Sequence, residues 1–92
     1  MTYYTYVLRS DKDDFFYIGF TDNLKKRLAD HKNGRVDSTK NRRPLELIYY
    51  EACLSKKDAA YREQYLKTGF GRRFLKNRLK DQFFSSRGGR TV

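Results

Sequence analysis

Tryptophan is absent from these 92 residues, and methionine, histidine, proline and cysteine occur once each. The single thiol, Cys53, excludes an intrachain disulfide and any zinc site built on several thiolates. No apolar run exceeds a few residues, which excludes a transmembrane helix. Met1 is followed at once by a polar and aromatic stretch, so no signal peptide is visible. These absences point to a reducing cytoplasm and to no membrane partner. There is no internal repeat, no linker and no room for a second core. A single domain over residues 1–84 is therefore expected, with a basic, disordered tail over 85–92.

Acid is the other scarcity, and it is uneven. Residues 1–52 carry ten basic and eight acidic groups, whereas residues 53–92 carry eleven basic and three acidic ones. The whole chain has a net charge of +10. A polyanion is the natural partner of such a surface, because each neutralised phosphate releases condensed counterions. Rings are plentiful, with eight Tyr and seven Phe at a mean hydropathy of −0.94, so aromatics are expected to supply much of the buried area.

Residues 2–9 have the Tyr, Thr and Val content of a half-buried strand, residues 11–14 that of a turn, and residues 15–20 that of a second strand. Together they predict an antiparallel hairpin. Gly19 interrupts its second strand, the mark of a bulge or of a close backbone approach. Thr21 or Asp22 is placed to cap a helix over about 22–32, on which Leu24, Leu28 and His31 form one stripe and which Asn33-Gly34 ends. A basic loop, 35–44, leads to a third strand at 45–50, whose continuous apolar run predicts burial on both faces. Ser55 and Asp58 fit the start of a second helix running to Gly69, Gly69 and Gly71 bracket a turn, and a last helix covers about 72–81. The expectation is an α+β fold, a small three-stranded, mainly antiparallel sheet flanked by helices in the order β-β-α-β-α-α.

Four reactive side chains stand out on this scaffold. Tyr6 and Tyr17 lie on the two hairpin strands, and Arg27 and His31, four apart, share one helical face. A fifth, Glu63, is the only acid between Asp58 and Asp81. Its plain reading is an intrahelical pair with Lys67, and that of His31 is a satisfied, semi-buried packing residue. Tyr3, Tyr49, Tyr50, Tyr61 and Tyr65 read as core or sheet-face aromatics, and Cys53 as a small buried hydrophobe.

Tyr17-Ile18-Gly19, with Tyr4-Thr5-Tyr6 upstream, Arg27 and His31 on the following helix and Glu63 beyond, resembles the GIY-YIG nuclease superfamily. The similarity is to its small stand-alone bacterial members, related to the nuclease module of the excision-repair endonuclease, and runs from about Tyr3 to Leu79. Ser38-Thr39, Arg43-Pro44-Leu45 and the stretch from Gly69 to Leu75 share it. The first tripeptide departs from Gly-Ile-Tyr and keeps only its tyrosine. The resemblance implies a metal-dependent DNA endonuclease, structure-selective or weakly sequence-selective, acting in DNA repair or recombination on branched or damaged DNA. One Mg²⁺ or Mn²⁺ would be held by Glu63, Arg27 would bind a non-bridging phosphate oxygen, and Tyr6 or Tyr17 would serve as general base with His31 taking or orienting its proton. No small-molecule cofactor is implied, and the oligomeric state stays open.

Lys26, Lys40, Arg42, Arg43, Lys67, Arg72, Arg73 and Lys76 are the candidate phosphate contacts, extended by Arg78 and Lys80, and Asn77 is a further candidate for the site. Two other readings compete: a non-catalytic nucleic-acid-binding module on the same fold, and a basic RNA-associated protein whose Tyr6, Tyr17 and Glu63 only pack.

Overall fold

A computed structural model describes residues 1–85 of the chain, with side chains through residue 82. The strand β1 (Tyr3–Ser10) lies between β2 (Phe16–Thr21) and β3 (Leu45–Cys53), and both pairings are antiparallel. The helices are α1 (Leu24–Lys32), α2 (Lys56–Leu66), α3 (Gly69–Arg78) and α4 (Lys80–Ser85), and one 3₁₀ turn covers Lys40–Arg42. This is the expected α+β arrangement with one helix more. The tail expected over 85–92 lies outside the described residues from 86 onward; Ser85 itself ends α4.

Side chains alternate across the sheet, so its two faces differ. On one face Val7 and Ile18 join Leu66 and Leu75 in a buried core, with Phe16, Ile48, Tyr49, Phe74 and Leu79 packed against it. The other face carries Tyr6 and Tyr17 beneath α1, where both rings meet His31. The sheet is therefore sandwiched, with α1 over its phenolic face and α2 and α3 over its apolar face.

Burial corrects the reading of two strands. β1, expected to be half-buried, is the central strand, and residues Thr5 through Ser10 are all buried. Its polar members survive there because each has a partner: Thr5 Oγ1 donates to the Ala59 carbonyl at 2.9 Å, Ser10 Oγ to the Arg42 carbonyl at 2.6 Å, and Arg9 Nη2 to Glu46 at 2.6 Å. β3 is an edge strand and is not buried on both faces; Tyr50 is 52% exposed. Its pairing with β1 steps from Val7–Tyr49 to Leu8–Leu47 and so skips Ile48. That bulge turns Ile48 and Tyr49 onto the same core, which makes the segment continuously apolar without burying both faces.

The helix ends follow their caps. Asn23, not Thr21 or Asp22, caps α1 by accepting from the Lys26 N–H at 3.1 Å, while Thr21 Oγ1 accepts from Asn23 N–H at 3.1 Å and sets the cap in place. Asn33 and Gly34, at φ +76°, end it as expected. Ser55 caps α2 as expected, but the helix stops at Leu66. Gly69 and Gly71 do not bracket a turn: they form the first turn of α3, whose Thr68 cap accepts from Gly71 N–H at 3.2 Å. A Cβ on Gly71 would come within 2.4 Å of the Leu66 Cα, so this glycine serves the close approach of α3 to α2. Tyr61 and Tyr65 lie on the helical surface, 78% and 39% exposed, rather than in the core, and Cys53 is half-buried.

Candidate active site

Tyr6 sits at the middle of the central strand directly opposite Gly19 of β2. Its ring crosses over that glycine: an added Cβ would lie 2.7 Å from the phenol oxygen. Gly19 is thus the close approach foreseen from the sequence, and what approaches is the Tyr6 hydroxyl. Spacing of four on α1 brings Arg27 and His31 down onto the same phenol. Arg27 Nε–H donates to the Tyr6 oxygen at 3.4 Å, and the Tyr6 oxygen lies 2.9 Å from His31 Nε2. His31 Nδ1 is in turn 2.8 Å from Thr39 Oγ1. Tyr6, His31 and Thr39 are each no more than 1% exposed.

Burial decides the protonation of this chain. It drives the His31 pKa down to about 4, helped by the Arg27 charge and opposed by Asp30, so the imidazole is neutral near pH 7. It pushes the Tyr6 phenol up to about 12, a rise that the Arg27 hydrogen bond restrains and that Tyr17 and the Glu63 charge reinforce. The bond to Tyr6 in turn raises the Arg27 guanidinium pKa. A neutral imidazole has one donor and one acceptor nitrogen. Tyr6 already accepts from Arg27, and its own proton has no acceptor other than Nε2 among the described residues. The network therefore assigns Tyr6 O–H as donor to Nε2 and Nδ1–H as donor to Thr39. His31 is not semi-buried packing: it is fully buried and bonded at both nitrogens.

Tyr17 completes the aromatic cluster, its ring centroid 5.0 Å from that of His31 and 6.3 Å from that of Tyr6. Unlike Tyr6 it is half-buried, and it lines a groove along the free edge of β2. Glu63 belongs to α2 on the other layer, yet its charge reaches the Tyr6 phenol. It also makes the ion pair expected of it, with Lys67 Nζ at 3.3 Å. Four of the five reactive side chains anticipated from the sequence, Tyr6, Tyr17, Arg27 and His31, thus meet on one face of the sheet, whereas Glu63 stands on α2 in the other layer.

The basic candidates separate. Lys67, Arg72, Lys76 and Arg42 line the groove beside Tyr17. Lys26 pairs with Asp30 at 3.2 Å and Lys40 with Asp37 at 3.4 Å. Arg43 donates to the carbonyls of Lys40 and Lys32, at 2.9 and 3.2 Å, and so braces the loop. Arg73 lies over the Phe70 ring at 5.7 Å, away from that groove, while Asn77, Arg78 and Lys80 are exposed and line none of it. Thr39 was missed as a member of the site. It stands eight residues from His31 across a polar loop, and no periodicity links the two.

Comparison with known proteins bears on the family of the chain. The sequence pattern of the GIY-YIG catalytic domain matches residues 2–78. The chain is 42% identical over 65 residues to UPF0213 protein CPE1444 of Clostridium perfringens, covering 70% of this chain and 69% of that one. It is 40% identical over 67 residues to UPF0213 protein SH2523 of Staphylococcus haemolyticus, covering 72% and 80%. Among solved structures, the solution NMR structure of UPF0213 protein BH0048 from Bacillus halodurans aligns over 98% of this chain and 89% of that one, at 30% identity and a TM-score of 0.46.

Proposed function

This chain belongs to the GIY-YIG family, whose catalytic domain is of the nuclease type, and on that footing we propose that it is a metal-dependent DNA endonuclease. It hydrolyses phosphodiester bonds with a water activated by tyrosine, and it selects structure, or weakly sequence, in branched or damaged DNA of repair or recombination. One observation carries this reading: the Tyr6 hydroxyl is held between the Arg27 guanidinium and the His31 imidazole.

Tyr6 is the base in this scheme because it alone has a proton acceptor in line. The attacking water gives a proton to the Tyr6 oxygen as the Tyr6 proton passes to His31 Nε2, while the water oxygen bonds to phosphorus and the P–O3′ bond breaks; the departing O3′ takes a proton from solvent water and His31 returns its own to solvent. Thr39 holds the imidazole in the tautomer that leaves Nε2 free to accept. In the free protein the phenol is covered, and the Arg27 bond at 3.4 Å is the longest in the chain of contacts. A phosphate that draws Arg27 to a non-bridging oxygen loosens that bond and opens the phenol to water, so substrate binding and base exposure become one event. The positive charge stays beside the phenol and the phosphate alike.

A divalent ion fits the residues present. Among the described residues no three His, Cys, Asp or Glu cluster to form a closed metal site. Glu63 offers one hard carboxylate, its side chain 17% exposed, paired with the flexible Lys67 and accepting a long hydrogen bond from Gln64 Nε2 at 3.5 Å. A Mg²⁺ or Mn²⁺ that keeps most of its waters and takes phosphate oxygen as a ligand needs no more from the protein than this. When bound, such an ion supplies Lewis-acid charge to the scissile phosphate and the leaving oxygen.

The test is cleavage of flap, branched and plain duplex DNA with Mn²⁺ or Mg²⁺, against the same reactions in EDTA. Cutting is expected only with metal, and Glu63→Gln is expected to abolish it while DNA affinity stays within a few-fold. Salt-sensitive binding with no cutting of any substrate would leave only the non-catalytic binding module.

A further inference from the structure

The groove beside Tyr17 is larger and more apolar than phosphate contacts require. Its volume is about 700 Å³. Because β2 is an edge strand of the sheet, the groove takes side chains from both of its faces, Tyr17 from one and Phe16 and Ile18 from the other. Leu66 and Leu75 complete an apolar floor. Four cations, Arg42, Lys67, Arg72 and Lys76, and one acid, Asp14, surround that floor; Lys67 is the partner of Glu63 and Arg42 that of Asp13. A cleft with apolar walls and a mainly cationic rim, sharing Tyr17 with the candidate site, suits a nucleobase with its flanking phosphates.

Phe15 is the second observation. It is 66% exposed at the lip of the groove, a large ring that folding does not need there. It is also firmly held. Asp14 before it adopts φ +64°, Asp13 Oδ1 accepts from the Phe15 N–H at 3.0 Å, and the Phe15 carbonyl accepts from Ser10 N–H at 3.0 Å. Ser10 Oγ and Asp11 N–H tie the same turn to the loop that carries Arg42, through the carbonyls of Arg42 and Pro44 at 2.6 and 2.9 Å. The Arg42 guanidinium then rests over one face of the ring, 5.4 Å from its centroid. An exposed ring on a braced turn, with a cation already on one side, offers a stacking platform.

We propose that this groove receives one unpaired nucleobase of the DNA next to the scissile phosphate, stacked on Phe15. The proposal rests on the nuclease reading for where the phosphate lies, and it names the substrate class: DNA with a base out of its helical stack. A paired base buried in B-form duplex cannot enter a side groove without being extruded, whereas a bulge, flap or single-stranded junction presents one at lower cost. Stacking tolerates every base, so the pocket confers selection for structure without selection for sequence.

The experiment compares two duplexes that differ only at one bulged position, which carries either a nucleotide or an abasic sugar. Affinity is measured by fluorescence anisotropy in EDTA, which holds cleavage off. The wild-type protein is expected to bind the bulged base at least about five-fold more tightly than the abasic bulge. Phe15→Ala should bring that ratio to about one, and Phe15→Trp should keep it. Tyr61→Ala, which removes an even more exposed ring that does not line the groove, should keep it too. Using a ratio within each variant cancels any change in folded fraction. A wild-type ratio of one, or a Phe15→Ala ratio equal to wild type, overturns the proposal. Cleavage of the same two DNAs with Mn²⁺ separates the two claims. Discrimination in binding with no cutting removes the nuclease and leaves the base pocket; cutting at equal rates on both DNAs removes the pocket and leaves the nuclease.

Discussion

Gly19→Ala is the smallest change that acts on the reactive phenol without touching its chemistry. The new Cβ would lie 2.7 Å from the Tyr6 oxygen, 2.8 Å from its Cζ and 3.1 Å from Tyr17 Cε2. Ordinary contact begins at 3.4 Å, so the phenol must withdraw by about 0.7 Å, and it is fully buried with nowhere free to go. The backbone at Gly19 is ordinary extended strand, which leaves the clash as the only penalty. Overpacking of this kind costs about 1–3 kcal/mol. For a domain of this size each kcal/mol lowers the melting temperature by about 4–8 °C. A displacement near 1 Å at the reacting centre costs about 100-fold in rate. Thermal melting and single-turnover cleavage are the two assays, and the rate at a temperature where the variant is folded should fall by at least ten-fold. A double variant with Tyr6→Phe supplies the internal check: the 2.7 Å contact is with the hydroxyl oxygen, so the two substitutions should be less than additive in stability. A Gly19→Ala protein that melts and cuts like wild type would refute the claim that Tyr6 is locked in place against this strand.

The remaining expectations are briefer. Arg27→Lys keeps the charge but loses the planar fork, and cleavage should fall by about 100-fold or more with little change in DNA affinity; a rate within three-fold of wild type would remove Arg27 from the reaction. His31 has a folded pKa of about 4 against an unfolded value of 6.5, so the unfolded chain binds the extra proton. Its contribution of about 3 kcal/mol is present above pH 6.5 and is lost as the pH falls toward 4; urea unfolding across that window should show the slope, and His31→Gln should remove it. Arg72→Ala should reduce the slope of log K against log salt by about 0.9, whereas Arg73→Ala, whose guanidinium is engaged over Phe70, should change it less. Equal slopes for both variants and wild type would show that this face does not meet phosphate.

Much of this was legible before any coordinates. Tyr6 and Tyr17 on a hairpin, Arg27 and His31 one turn apart, and a solitary Glu63 follow from strand alternation, helical periodicity and a count of acids. What the sequence concealed were the contacts that cross elements. The run Leu-Ile-Tyr-Tyr at 47–50 read as a strand buried on two faces because a bulge at Ile48 is invisible to any period. Gly69 and Gly71 read as a turn because glycine marks both chain reversal and close packing, and only the position of α2 tells them apart. The role of Thr39 was hidden for a related reason: Ser38-Thr39 shares the family resemblance, but its partner lies across a loop and no period ties it to His31. Phe15, one residue outside β2, passed for a strand residue because hydrophobicity alone does not say which rings are covered.

The two faces of the sheet divide the work of the molecule. Val7, Ile18, Leu66 and Leu75 bury an ordinary apolar core on one side, so the sheet's position does not depend on the polar chain on the other. That chain runs from the half-buried Arg27 through Tyr6 and His31 to Thr39, the last three sealed from water and each bonded to the next, an arrangement that costs stability if a buried member is left without its partner. Thr39→Val tests whether the division is real. It keeps the shape and removes the acceptor of Nδ1–H, leaving a buried donor unsatisfied at about 1–3 kcal/mol. If Thr39 only fills space, cleavage at a temperature below the new melting point is unchanged. If it sets the tautomer, the imidazole nitrogens exchange roles in ¹⁵N spectra, Nε2 carries the proton, and Tyr6 loses its acceptor. Cleavage then falls while Thr39→Ser, which restores an oxygen at that position, recovers both the spectrum and the rate. An unchanged ¹⁵N pattern in Thr39→Val together with normal cutting would show that the proton path proposed through His31 is not the one used.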